Sequence, residues 1–376
     1  MEDLVVTADR VSQHPNVDAS RRPRFGSRGH ERRAITFGGE ARTVWSDDTR
    51  DETDWSTRTV LVTGATGMVG SRLVGNLIRR GAAVVAFVLD HDPQSELVRS
   101  KLIDRTSVVN GRLEDFHAVE RAIVAHEVDT VVHLGAQTIV GAAHRSPRAT
   151  FEANVQGTWN VLDAARIHRD QVARVVIASS DKAYGTQPVL PYDEDMALLG
   201  RAPYEVSKSC ADLLAQSYAH TYDMPVAIAR CGNIYGPGDL NWSRIIPGTI
   251  RSLLLGQQPV LRSDGTFKRD YLHVDDAVSA YMASCDGLDD GSARGKGFNF
   301  SAEQPLTVLE VYAATCSAAG FAGMSPRILG NAVGEIKDQY LDSHRARRDL
   351  GWKAVVALED GLTDTVAWYR TLLAAG

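Results

Sequence analysis

Cysteine is scarce in this chain. The four cysteines, Cys210, Cys231, Cys285 and Cys316, lie too far apart for any Cys-x-x-Cys pair. That spacing excludes the common metal and redox motifs and leaves reduced thiols, as expected of a cytoplasmic protein. No metal is expected. Long apolar runs are also missing. The longest, residues 82–89, is far short of the ~20 residues that cross a bilayer. The start, Met1-Glu2-Asp3, is acidic, and no signal-type apolar core follows it. Positive charge is not in excess either. A net charge of −6 gives no reason to expect nucleic acid or an anionic membrane as partner. There is no internal repeat and no low-complexity tract.

What is present is an ordinary globular composition, 44% hydrophobic and 23% charged. It is ample for a large core in one large or two modest domains. Residues 1–55 stand apart. Arg21-Arg22-Pro23-Arg24 and Glu31-Arg32-Arg33 precede an acidic stretch from Asp47 to Asp54, with no persistent apolar period. This reads as a flexible extension. Phe25, Phe37 and Trp45 leave open an arm that docks on a neighbouring subunit.

From Thr59 short apolar strands alternate with helical stretches. Strands are expected over 59–63, 83–89, 106–110, 129–134, 174–180 and 225–231. Helices are expected to Arg80, over 115–126 and over 150–169. This alternation predicts an α/β fold, a doubly wound parallel sheet covered on both faces. After about Gly236 the alternation loosens. Helices over 245–255, 306–319 and 358–373 and short strands over 259–262 and 297–301 suggest a smaller C-terminal lobe. The expected division is a dinucleotide-binding domain over 56–236 and a substrate lobe over 237–376, interleaved with the end of the sheet.

Gly64-Ala65-Thr66-Gly67-Met68-Val69-Gly70 follows the first strand and opens a helix. Gly64 permits the tight turn, Gly67 admits a pyrophosphate to the backbone, and Gly70 allows close helix–strand packing. The helix N-terminus then offers free N–H groups to the phosphates. The acid that binds the ribose is expected at the end of the second strand. That place falls near the apolar Val88, so Asp90 is the candidate and NAD the expected cofactor.

Ser180 ends the fifth apolar strand, where an open α/β sheet places its ligands. Tyr204 and Lys208 are spaced i, i+4 and share a helix face. A lysine cation beside a phenol favours phenolate, which can take a proton from a sugar hydroxyl as its carbon loses hydride. Asp181 and Lys182, beside Ser180, add an acid and a potential base. Neighbouring side chains diverge on a strand, so the chain must turn after Ser180.

These motifs resemble the extended short-chain dehydrogenase/reductase family, in its NAD-dependent nucleotide-sugar epimerase and dehydratase branch, over roughly residues 55–369. The glycine turn, the stretches 133–137 and 154–158, and the segments 230–238 and 268–276 carry the likeness. Ser180-Asp181-Lys182 and the stretch 204–212 most resemble CDP-glucose 4,6-dehydratases, although Met68 and Val69 replace an aromatic residue and a lysine. Arg112 stands where an acid usually contacts adenine. The resemblance implies a Rossmann-type fold and a homodimer. It implies that Thr66, Met68, Val69, Leu113, Leu134 and Ala136 line the cofactor with the three glycines, Tyr204 and Lys208. It also implies that Gln137, Asn233, Arg244 and Arg269 hold a nucleotide-sugar substrate. The expected activity is 4,6-dehydration, with Asp181 as acid and Lys182 as base; the alternative is 4-epimerisation, which needs only Ser180, Tyr204 and Lys208.

Overall fold

Along β1 (Thr59–Thr63), Val60 and Val62 enter one apolar cluster and Leu61 another, all three fully buried. Side chains alternate across a strand, so an unbroken apolar run belongs to a sheet covered on both faces. The same division holds in β2 (Ala83–Val88), where Val84 and Ala86 oppose Val85 and Phe87. With β3 (Ser107–Asn110), β4 (Thr130–His133), β5 (Arg174–Ala178), β6 (Val226–Cys231) and β7 (Gly297–Phe300), these form a seven-stranded sheet of order β7-β6-β5-β4-β1-β2-β3. Every adjacent pair is parallel. This computed structural model describes residues 54–331 and 335–374. The reading of residues 1–55 therefore lies outside the described residues, Asp54 and Trp55 excepted. Trp55 is fully buried, with the Arg58 guanidinium 4.0 Å above its ring.

α1 (Met68–Arg79) covers one face through Leu73, Val74 and Leu77. α2 (Phe116–Ala125), α3 (Gly157–Ile167) and α4 (Pro203–Tyr222) cover the other. Beyond β6 the chain leaves the sheet through α5 (Ile245–Leu254) and returns in α6 (Val274–Asp289), which packs on the α1 face. α7 (Val308–Ala319) and α8 (Leu358–Ala374) surround a third cluster with α5, containing Ile250, Tyr312, Val366 and Tyr369. Among the described residues no helix is long and apolar enough to cross a membrane.

The departures from expectation are local. The helix over 150–169 is broken into Pro147–Phe151, a π turn over Glu152–Gln156, and α3. The helix over 306–319 starts two residues late. Leu306–Thr307 is a strand, and the Thr307 hydroxyl and Glu310 carboxylate close a capping box there. β3 is an exposed edge rather than a buried strand. The strand over 174–180 ends at Ala178. The Ser180 hydroxyl accepts from Lys182 N at 3.2 Å and starts a 3-10 turn over Asp181–Tyr184, the turn that divergent neighbouring side chains require.

Candidate active site

The sheet order reverses between β1 and β4, and open α/β sheets bind ligands at such a switch point. Gly64 sits there with φ +67°, and a Cβ on it would lie 2.8 Å from Gly135 N. A Cβ on Gly70 would lie 2.1 Å from Gly64 O, so helix and turn touch only because Gly70 has none. Gly67 differs. An added Cβ there meets only Gly64 O, at 3.3 Å, and the residue is exposed. No side chain caps α1 at this end, so its first N–H groups remain free for an anion. Thr66, Met68 and Val69 line the same turn, partly exposed. The chain's own residues thus fit a dinucleotide pyrophosphate.

A buried relay ties β1 to β4. Gly135 N donates to Thr63 Oγ1 at 3.0 Å, and Thr63 in turn contacts His133 Nδ1 at 2.8 Å. His133 Nε2 lies 3.1 Å from Thr158 Oγ1, which donates to the Asn154 carbonyl at 2.6 Å. Each threonine has one proton, so His133 accepts at Nδ1 and donates at Nε2. Burial, aided by the Lys208 cation, pushes the imidazole down to about 3. Leu134 and Ala136 flank Gly135, and Leu113 is wedged where Cβ atoms on Gly135 or Gly157 would clash with it. Asp90 is exposed, two residues beyond β2.

Ser180, Asp181 and Lys182 turn inward after β5. Ser180 Oγ donates to Asp181 Oδ1 at 2.9 Å, and Lys182 Nζ lies 3.5 Å from Asp181 Oδ2. Asp181 is 3% exposed. Burial pushes the Lys182 amine down, against the pull of Asp181. Tyr204 and Lys208 come from the first turns of α4. The Tyr204 hydroxyl is close enough to the Ser180 side chain to feel it. Burial pushes that phenol up to about 12, opposed by Arg244 and Ser180. The opposing cation is therefore Arg244, whereas Lys208 Nζ donates to the Ala178 carbonyl at 2.9 Å. Burial lowers Lys208 to about 8, against Asp212 and Cys231.

The residues expected around a substrate are spread over several elements. Asn154 clamps Gln137 by accepting from its N–H at 2.6 Å and donating to its carbonyl at 3.1 Å; it also donates to Ser207 Oγ at 2.9 Å. Asn233 lies on the short strand Asn233–Tyr235, half-buried. Arg244 pairs with Asp239 at 3.1 Å. Arg269 donates to the Lys268 and Lys337 carbonyls, both at 2.8 Å, and to the Ile336 carbonyl. Arg112 points outward to Glu114 at 3.1 Å. Asn154 and Gln339 were not singled out as site residues. Asn154 falls inside a family-like stretch, but nothing in the sequence around Gln339 signals its contacts with Asp181 and Lys182.

Comparison with known proteins fits this geometry. A dTDP-glucose 4,6-dehydratase of Streptomyces griseus is 33% identical over 320 residues, covering 83% of this chain and 94% of that protein. A CDP-glucose 4,6-dehydratase of Salmonella typhimurium is 29% identical, covering 85% and 92%. The solved dTDP-glucose 4,6-dehydratase of Streptomyces venezuelae, with NAD bound, is 29% identical and superposes with a TM-score of 0.75, covering 83% and 97%. UDP-glucose 4-epimerases stand among the relatives too. Residues 60–299 match the family described as NAD dependent epimerase/dehydratase, and the chain belongs to that family.

Proposed function

We propose that this protein is an NAD-dependent nucleotide-sugar 4,6-dehydratase. It converts a nucleoside diphosphate hexose to the 4-keto-6-deoxy sugar with loss of water. Gly64, Gly67 and Gly70 would hold NAD at the glycine turn, where it would supply the hydride acceptor and donor that the oxidation at C4 and the reduction at C6 require. Tyr204, beside Ser180, takes the C4 hydroxyl proton. The 4-ketone acidifies C5–H. Lys182 removes that proton, Asp181 protonates the departing C6 hydroxyl, and water leaves. Moving one proton from Lys182 to Asp181 turns the ion pair into the acid and base this step needs, with no change in net charge. The observation that carries the reading is this pair, 3.5 Å apart on the turn beside Ser180.

Arg269 and Asn233 are assigned to the substrate diphosphate and sugar, and Gln137 and Arg244 to its flanks. A planar guanidinium suits phosphate oxygens. Residues from about 237 onward supply most of the substrate lobe. The likeness of Ser180-Asp181-Lys182 to CDP-glucose 4,6-dehydratases makes CDP-glucose the first substrate to test. Turnover of CDP-, dTDP- and UDP-glucose, with product mass measured, tests both nucleotide and reaction. Loss of 18 mass units supports dehydration, and an isomer of unchanged mass supports the 4-epimerase reading, for which Ser180, Tyr204 and Lys208 suffice.

A homodimer belongs to the same reading. On α4, Ala211 is buried, while Leu214 and Tyr218 pack on the chain's own core. Leu213 is 53% exposed on α4, and Trp159 is 43% exposed on the adjoining α3. These two side chains are the proposed contact, and a monomeric mass by light scattering contradicts it. All four cysteines are free, in keeping with a cytoplasmic location.

A further inference from the structure

Gln339 is fully buried, an uncommon setting for an amide side chain. Its Nε2 donates to the Asp181 carbonyl at 2.7 Å, and its Oε1 accepts from Lys182 Nζ. It lies on the two-residue strand Asp338–Gln339, which pairs in parallel with Lys268–Arg269 and places Gln339 opposite Arg269. The same segment is fastened at both ends. Arg269 donates to the Ile336 and Lys337 carbonyls, and Leu341 N donates to Asp270 Oδ2 at 2.7 Å. From this anchored strand one side chain crosses to the Asp181-Lys182 turn.

A lysine amine rides on a flexible four-carbon stem with three rotatable donors, and fixing it costs rotamer entropy. Two acceptors restrain it here, Asp181 and Gln339. An amide oxygen accepts from an ammonium or from a neutral amine alike, so it holds Lys182 in place through a proton transfer. We propose that Gln339 is a positioning residue that holds Lys182 over the substrate's C5–H and links it to the Arg269 strand. This rests on the dehydratase reading. The charged groups facing Lys182 are Asp181, Arg269 and Glu205. Burial lowers the amine, Asp181 and Glu205 oppose that lowering, and Arg269 adds to it.

The test compares Gln339→Leu, Gln339→Glu and Lys182→Met on CDP-, dTDP- and UDP-glucose. Rapid mixing follows the nicotinamide band, and kcat is measured against pH. Gln339→Leu is expected to lower kcat roughly tenfold to a hundredfold, the scale of a misplaced reacting group. KM and the rate of cofactor reduction stay unchanged, and reduced cofactor accumulates. Gln339→Glu keeps the acceptor but adds a charge that favours the ammonium. Its basic limb therefore moves to higher pH, since the Asp181-Lys182 pair must keep one proton between them to act. A purely structural role slows both half-reactions together and leaves the limb in place; that result overturns the proposal, as does wild-type behaviour in both Gln339 variants. If Gln339→Leu does not fold, the limb of Gln339→Glu decides alone. Lys182→Met separates the two claims. If it stalls after cofactor reduction while the Gln339 variants match wild type, only the Gln339 assignment falls. If it turns over normally, the dehydratase reading falls and this proposal with it.

Discussion

Arg230 grips Asp212 through both carboxylate oxygens, Nε to Oδ2 at 2.8 Å and Nη2 to Oδ1 at 2.9 Å. Both residues are buried, Asp212 at 0% and Arg230 at 3% exposure. The pair joins α4, which carries Tyr204 and Lys208, to β6. Arg230 also donates to the Tyr184 hydroxyl at 2.8 Å, which donates to Asn299 at 2.7 Å. Removing one partner of such a pair strands a buried charge and typically costs about 3–5 kcal/mol. Asp212→Asn and Arg230→Met are each expected to lower the unfolding free energy by that order. The double variant Asp212→Leu/Arg230→Met should lose less than the sum. Additive losses, measured by urea unfolding, would contradict the coupling.

The glycine turn separates packing from binding. Gly70→Ala pushes a methyl into the Gly64 carbonyl and should destabilise the fold itself. Gly67→Ala makes one tight contact, 3.3 Å to Gly64 O, which needs a shift of only a few tenths of an ångström. It should keep the melting temperature of the NAD-free protein while weakening NAD binding. Titration calorimetry beside thermal melting distinguishes the two. Equal loss of stability in both variants would contradict the assignment.

Much of this was legible in sequence. Thr59–Thr63 was placed to the residue, and the sheet strands were placed to within two residues, because strands buried on both faces are unbroken apolar runs. The helix over 150–169 was misjudged in its first half, since nothing in its periodicity announces the π turn at Asn154. Arg230 and Asp212 were visible as parts of family-like stretches, but their contact joins positions 18 residues apart on different elements. Gln339 was invisible for the same reason, lying 157 residues from Lys182. Local pattern specifies elements; contacts between distant elements must be seen in three dimensions.

Acid should unfold this protein partly through two imidazoles. Burial pushes His133 down to about 3 and His273 down to about 4. Between those values and the ordinary 6.5 the unfolded chain binds more protons than the folded one. Stability present above pH 6.5 is therefore lost as pH falls toward 4, on the order of a few kcal/mol per group. Asp270 acts in the opposite sense, because burial raises it to about 6; its folded form gains relative stability as pH drops through that value. Burial also raises Glu194, Asp276 and Asp364, each by less. The two imidazoles, shifted furthest, outweigh these carboxyls, so the melting temperature should fall from pH 7 to 4.5, and less steeply in His133→Asn. A flat profile would contradict this balance.

Tyr204→Phe removes the phenol beside Ser180 and leaves the surrounding packing intact. Cofactor reduction by the nucleotide sugar should fall at least about a hundredfold, the usual contribution of a positioned proton acceptor. Circular dichroism and melting temperature should not change. Retention of more than about a tenth of the wild-type rate is incompatible with the assigned role.

The central claim is that Asp181 and Lys182 carry the elimination and not the oxidation. Asp181→Asn and Lys182→Met leave Ser180, Tyr204 and Lys208 in place. Rapid mixing with CDP-, dTDP- or UDP-glucose should show the nicotinamide band rise at the wild-type rate in both variants and then persist. Formation of the 4-keto-6-deoxy product should slow by roughly two to four powers of ten. Normal turnover in both variants, with no accumulated reduced cofactor, would contradict the dehydratase account and leave epimerisation as the reading the site supports.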